Sequence, residues 1–158
     1  MNKKINQSGI TLVALIITVV LMLILVAFVY NFSRDAIDKT KLEDIKTNML
    51  LIQSKAKTIY ERYSFKEIEE LTGIEYSPTG NQDIGYTVGA KLRVDLNKSE
   101  GPFYIWEQED LNNNGLGTIK VSNTEFYIID YTTGEVFYSL GYTQDDTTYY
   151  RLSELESL

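Results

Sequence analysis

The sequence predicts an α+β protein: one long N-terminal helix, apolar in its first half and amphipathic in its second, packed on a small antiparallel β-sheet head. Three features point that way. Ile10 to Ser33 contains no charged residue, Leu42 to Tyr63 repeats apolar side chains at helical spacing, and from Tyr86 onward short β-branched and aromatic runs alternate with turn residues. A length of 158 residues suits one head of roughly 100 residues behind a membrane segment. The expected divisions are a leader at 1–9, an apolar helix at 10–33, an amphipathic stem at 34–71 and a β-rich head at 72–158.

Between Ile10 and Tyr30 the only polar side chains are Thr11, Thr18 and the Tyr30 hydroxyl. As a helix rising 1.5 Å per residue, Ile10 to Ser33 is about 36 Å long, more than a bilayer core of about 30 Å. A cleaved secretory signal has a shorter apolar region ending in a small-x-small site, which neither Leu25-Val26-Ala27 nor its neighbours supply. Lys3 and Lys4 precede the span, and Arg34, Lys39, Lys41 and Lys46 follow it. Charge counting therefore leaves the orientation open.

The run Lys3-Lys4-Ile5-Asn6-Gln7-Ser8-Gly9-Ile10-Thr11-Leu12-Val13-Ala14-Leu15-Ile16-Ile17-Thr18 resembles the leader of type IV prepilins and type II secretion pseudopilins, of the kind found in Gram-positive, clostridial-type proteins. The resemblance implies a pilin-like fold and cleavage after Gly9 by a prepilin peptidase that also methylates Ile10. It further implies a cytoplasmic leader, an extracytoplasmic head, and assembly through the segment holding Thr11, Leu12 and Ala14 into a type IV pilus or pseudopilus at the cell surface. The implied partners are other pilin or pseudopilin subunits, the peptidase/N-methyltransferase and an assembly platform membrane protein. Gly9 lets a protease approach the backbone closely, and the lysines suit an anionic membrane face. The family usually carries Glu where this chain has Ala14, a carboxylate thought to pair with a neighbour's N-terminal amine. Its replacement removes a register device while easing membrane residence, and points to a minor or tip subunit. The alternative is an uncleaved signal anchor holding an extracytoplasmic binding domain.

Beyond the span, Leu42, Ile45, Met49, Ile52, Ala56, Ile59 and Tyr63 form one apolar stripe, and no Pro or Gly interrupts Ile10 to Glu70. The heptad period also fits a coiled coil, but Leu50 and Tyr60 widen the stripe toward what a sheet would cover. Asp35 and Asp38, flanked by Arg34 and Lys39, read as a solvated face.

A short helix is expected over Phe65 to Leu71, then a loop marked by Gly73, Pro78, Gly80, Asn81 and Asp83. Strands are expected at Tyr86 to Val88, Lys91 to Asp95, Phe103 to Trp106, Ile119 to Val121, Phe126 to Tyr131 and Glu135 to Ser139, the last two forming a hairpin around Thr132-Thr133-Gly134. Phe126 to Val136 also resembles the C-terminal hairpin of clostridial-type prepilin-like proteins.

The chain has no cysteine or histidine, which removes disulfides, thiol nucleophiles, imidazole bases and the usual zinc ligands. Neither a G-x-S-x-G elbow nor a phosphate-binding glycine loop occurs, so no enzymatic activity and no cofactor are expected. Asp110, Asn112 and Asn114 with Gly115 match the start of a calcium loop, but Val121 stands where its bidentate Glu belongs. A turn or short helix over Gln108 to Leu116 is the competing reading. The net charge of −7 is uneven: Arg34 to Lys66 holds eight basic against five acidic residues, and Glu67 to Leu158 holds five against seventeen. So acidic a head disfavours nucleic acid as a partner. Tyr142, Tyr149 and Tyr150 with Trp106 are candidates for a contact surface for sugar, peptide or a neighbouring subunit.

Overall fold

A computed structural model describes residues 7–78, 88–98 and 101–158. Lys3, Lys4 and the expected turn residues Gly80, Asn81 and Asp83 lie outside the described residues, as does most of the expected strand from Tyr86 to Val88. The elements are α1 (Gln7–Ser64), β1 (Ile74–Tyr76), α2 (Ala90–Leu96), β2 (Phe103–Trp106), α3 (Gln108–Asn113), β3 (Tyr127–Asp130), β4 (Glu135–Gln144), β5 (Thr147–Arg151) and α4 (Leu152–Leu155). The class is α+β, with an apolar N-terminal helix and a five-stranded antiparallel sheet in the order β1-β2-β3-β4-β5. The chain divides into two compact units, Met1–Lys41 and Leu42–Leu158.

In the first unit the described backbone is helical throughout, as expected of an apolar run without Pro or interior helix breakers after Gly9. The second unit takes α1 from Leu42 onward. That helix ends in a Schellman turn: Lys66 adopts a left-handed φ of 56°, its N–H donates to the Tyr63 carbonyl at 3.0 Å, and the Glu67 N–H donates to the Arg62 carbonyl at 2.9 Å. The turn redirects the chain at the point where the sequence suggested a further helix, so Phe65 to Leu71 forms turns and bends instead.

Strand registers place alternate residues on opposite faces of the sheet. Tyr104 pairs with Ile129, Ile129 with Val136, and Trp106 with Tyr127. These residues join the cluster built on Met49, Ile52, Ala56 and Ile59 of α1. Ile105 pairs with Ile128, and Ile128 with Phe137. They face the other way and pack with Leu92 and Leu96 of α2. The sheet is therefore covered on both sides.

That second cover corrects the expected strand at Lys91 to Asp95. Leu92 and Val94 alternate with charged residues as in a strand, but the structure uses Val88, Leu92 and Leu96 at helical spacing and leaves Val94 57% exposed. The expected strand at Ile119 to Val121 is also absent. Two of its backbone polar groups are met by one side chain: Gln108 Nε2 donates to the Ile119 carbonyl at 3.1 Å and Gln108 Oε1 accepts from the Val121 N–H at 2.9 Å.

The β3–β4 turn is organised by Asp130. Its Oδ1 accepts from the Thr132 and Thr133 N–H groups at 2.9 and 3.1 Å, and Gly134, at φ 73°, completes the turn. The β4–β5 turn has Asp145 and Asp146 at φ 47° and 61°, which is type I′ geometry matched to hairpin twist.

Candidate membrane segment and surface groove

Leu12–Val29 is a helical segment of mean hydropathy 3.4, long and apolar enough to cross a membrane. Its 18 residues rise about 27 Å, close to a bilayer core. Every side chain in it is exposed, including Leu12 at 61% and Phe28 at 71%. So continuous an apolar surface exceeds what a soluble monomer leaves in water. Thr18, the polar exception within it, donates its hydroxyl to the Leu15 carbonyl at 2.8 Å and so carries no unmet donor into an apolar medium. Gly9, Ile10 and Thr11 lie in the first turns of α1, and Ala14 and Leu12 follow within it.

In the second unit, Leu42, Met49, Ile52, Ala56 and Ile59 are buried and Ile45 is half-buried against the sheet. Tyr63 departs from the expected packing. It lies on the same stripe but in the last turn before Ser64, and stays 42% exposed. Tyr60 takes the aromatic position instead, stacked on Tyr131 with ring centroids 6.3 Å apart.

Tyr131 belongs to a three-membered polar lock inside this core. Trp106 Nε1 donates to the Thr72 carbonyl at 2.9 Å and to the Tyr131 hydroxyl at 3.2 Å, and that hydroxyl donates to the same carbonyl at 3.0 Å. Burial pushes the Tyr131 phenol well above its ordinary range, opposed by its bonds to Trp106 and Thr72. Burial does the same to Tyr127, reinforced by Tyr138 and Glu125 and opposed by a bond from Asn48. Trp106 is fully buried and so cannot serve the contact surface suggested for it, whereas Tyr142, Tyr149 and Tyr150 are half-buried.

A groove of about 650 Å³ runs between α1 and the β3–β4 turn, lined by Leu50, Gln53, Ser54, Lys57, Tyr60, Glu61 and Tyr131 to Gly134. Its hydroxyls and amide are largely committed. Gln53 Nε2 donates to the Gly134 carbonyl at 2.8 Å, Thr132 Oγ1 donates to the Gly101 carbonyl at 3.0 Å, and Thr133 Oγ1 accepts from the Glu135 N–H at 3.2 Å. What the groove offers a ligand is the Ser54 hydroxyl, Lys57, Glu61 and the exposed Leu50.

The calcium motif is spent on helix building. Asp110 and Asn112 lie within α3, where residues two apart point to different sides. Asp110 Oδ2 accepts from the Glu107 N–H at 2.9 Å, Asn112 Oδ1 accepts from Gln108 at 3.1 Å, and Asn114 Nδ2 donates to the Asp110 carbonyl at 2.8 Å. Burial raises the Asp110 carboxyl above its usual range, with the Glu107 N–H pulling the other way. Among the described residues no group of three or more acidic side chains is placed to hold a metal.

No protein-family model, curated protein or solved structure matches this chain.

Proposed function

We propose that the chain is a prepilin-like structural subunit. It is processed after Gly9, methylated at Ile10, and assembled through its apolar helix into a type IV pilus or type II secretion pseudopilus, with the acidic head outside the membrane. The observation that carries this reading is the order Gly9-Ile10-Thr11-Leu12 at the start of a charge-free helix, more than hydropathy alone requires of an anchor. A wholly exposed apolar segment in Leu12–Val29 supports it, because such a surface needs lipid or like helices around it. Packing of Leu42 to Ile59 on an antiparallel sheet supports it as well, since a subunit of this kind needs its head fastened to its stem. The partners are then other pilin or pseudopilin subunits, the prepilin peptidase/N-methyltransferase and a membrane assembly platform.

Ala14 favours a minor or tip position, and it equally suits the second reading, a signal-anchored binding domain that never polymerises. Intact mass and N-terminal sequencing of the protein from cells with a prepilin peptidase separate the two. The pilin reading expects a chain beginning at methylated Ile10 that reverts to full length in Gly9→Val. An intact Met1 terminus in the unsubstituted protein refutes it in favour of the anchor.

A further inference from the structure

β5 is an outer strand of the sheet and pairs with β4 alone. The hairpin closes through Asp145 and Asp146, with Gln144 opposite Thr147, Thr143 opposite Thr148 and Tyr142 opposite Tyr149. In an antiparallel ladder closed by a two-residue turn, the pair next to the turn exchanges hydrogen bonds and the following pair does not. Thr143 and Thr148 are that following pair, and the 2.9 Å contact between their hydroxyls fits its closer spacing. The backbone N–H and C=O of Thr148 therefore point away from β4, toward the open edge.

That edge is occupied by a charge from another layer. Lys91, on α2, donates from Nζ to the Thr148 carbonyl at 2.5 Å, and the same ammonium lies 6.0 Å from the centroid of the Tyr150 ring. A cation held over an aromatic face and bonded to an outward carbonyl is fixed at two points, although Lys91 is itself exposed. Lysine at a sheet edge makes docking of another strand costly, because its charge must be desolvated or displaced. The opposite edge is β1, three residues long and carrying Glu75. From Thr147 to Tyr150, β5 is longer, uncharged and rich in strand-forming residues, which makes it the edge that needs a guard.

We propose that Lys91 is an edge guard, and that the surface it closes fits β5 of a second copy of this chain. Two β5 strands related by a two-fold axis through Tyr149 place Thr148 opposite Tyr150 twice, so the outward donors and acceptors of one strand meet those of the other. In that arrangement each Lys91 sits on a carbonyl that the partner strand needs. Removing the ammonium opens both positions at once, by symmetry. This guard is independent of processing at Gly9, since it lies wholly within Leu42–Leu158.

The chain has no cysteine, so a nitroxide attached through Thr147→Cys is a unique label on the full-length protein in detergent micelles. Across the two-fold, Thr147 sits opposite Arg151, so the two labelled Cα atoms are offset by four residues and lie about 14 Å apart. With Lys91 present, pulsed electron paramagnetic resonance is expected to show no such distance. With Lys91→Met, which removes the ammonium while keeping an unbranched apolar side chain, the distance is expected to emerge. Adding Thr148→Pro, which removes the outward N–H while sparing the bonds to β4, is expected to abolish it. A folded Lys91→Met chain without the short distance overturns the proposal, as does the distance appearing while Lys91 is intact or persisting with Thr148→Pro. Retention of the hairpin is checked by hydrogen exchange at Thr147 and Tyr149, whose N–H groups face β4.

Discussion

Raising the pH above 10 attacks this fold through its buried phenols. Tyr127 and Tyr131 are each 3% exposed, and burial holds both phenols far above their ordinary range in the folded state. The unfolded chain releases these protons near pH 10, while the folded chain keeps them. Stability from both groups is thus fully present below about pH 10 and is lost as pH rises beyond it. Each retained proton costs about 1.4 kcal/mol per pH unit, so the pair removes about 2.7 kcal/mol per unit, or roughly 4 kcal/mol by pH 11.5. That is a large part of the roughly 5–15 kcal/mol that holds a domain together. Urea midpoints measured from pH 9 to 11.5, alongside tyrosinate absorbance, should show stability falling steeply and the last tyrosines ionising only with unfolding. Tyr131→Phe should lower the slope by about 1.4 kcal/mol per pH unit, at a cost near neutral pH of only about 1 kcal/mol, because Trp106 still satisfies the Thr72 carbonyl without it. Reversible ionisation of every tyrosine near pH 10 in a folded chain would falsify this account.

Two further outcomes separate core from surface and capping from metal binding. Ile52→Ala, at a fully buried position beneath the sheet, should cost about 2–5 kcal/mol, whereas Tyr63→Ala at the exposed end of the same stripe should cost less than about 1 kcal/mol, read from urea midpoints. Asp110→Ala should cost about 1 kcal/mol by freeing the Glu107 N–H, and the loss should be the same with calcium or with a chelator; a calcium-dependent difference would restore the metal reading.

The parts of the fold that were legible in the sequence are those where one physical signal acts alone. The apolar run of α1 has no competing interpretation for its composition, and the β3–β4 hairpin is announced by Asp130, Gly134 and strand-forming residues on either side. Failures occurred where two signals conflicted. Leu92 and Val94 satisfy a strand period, but Leu92 and Leu96 satisfy a helical one, and the uncovered face of the sheet decided for the helix. Lys66 occupies a helix-terminating position that usually belongs to glycine, so the end of α1 carried no local mark. β5 and α4 lay beyond a turn of two aspartates, a weak hairpin signal beside Asn-Gly. For the candidate site, the stripe from Leu42 to Ile59 was readable from its spacing, whereas the groove over Thr132 and Thr133 joins residues some 80 positions apart and has no local signature.

The lock around Trp106 also has an optical consequence. It is the only tryptophan in the chain, it is fully buried, and its indole N–H is bonded to Thr72 and Tyr131. Its emission therefore reports whether the segment following α1 is fastened to the sheet, and it is blind to the apolar segment, which contains no tryptophan. Lipid, detergent or neighbouring subunits can be varied around Leu12–Val29 while a single native fluorophore registers only the integrity of the folded unit beyond Leu42.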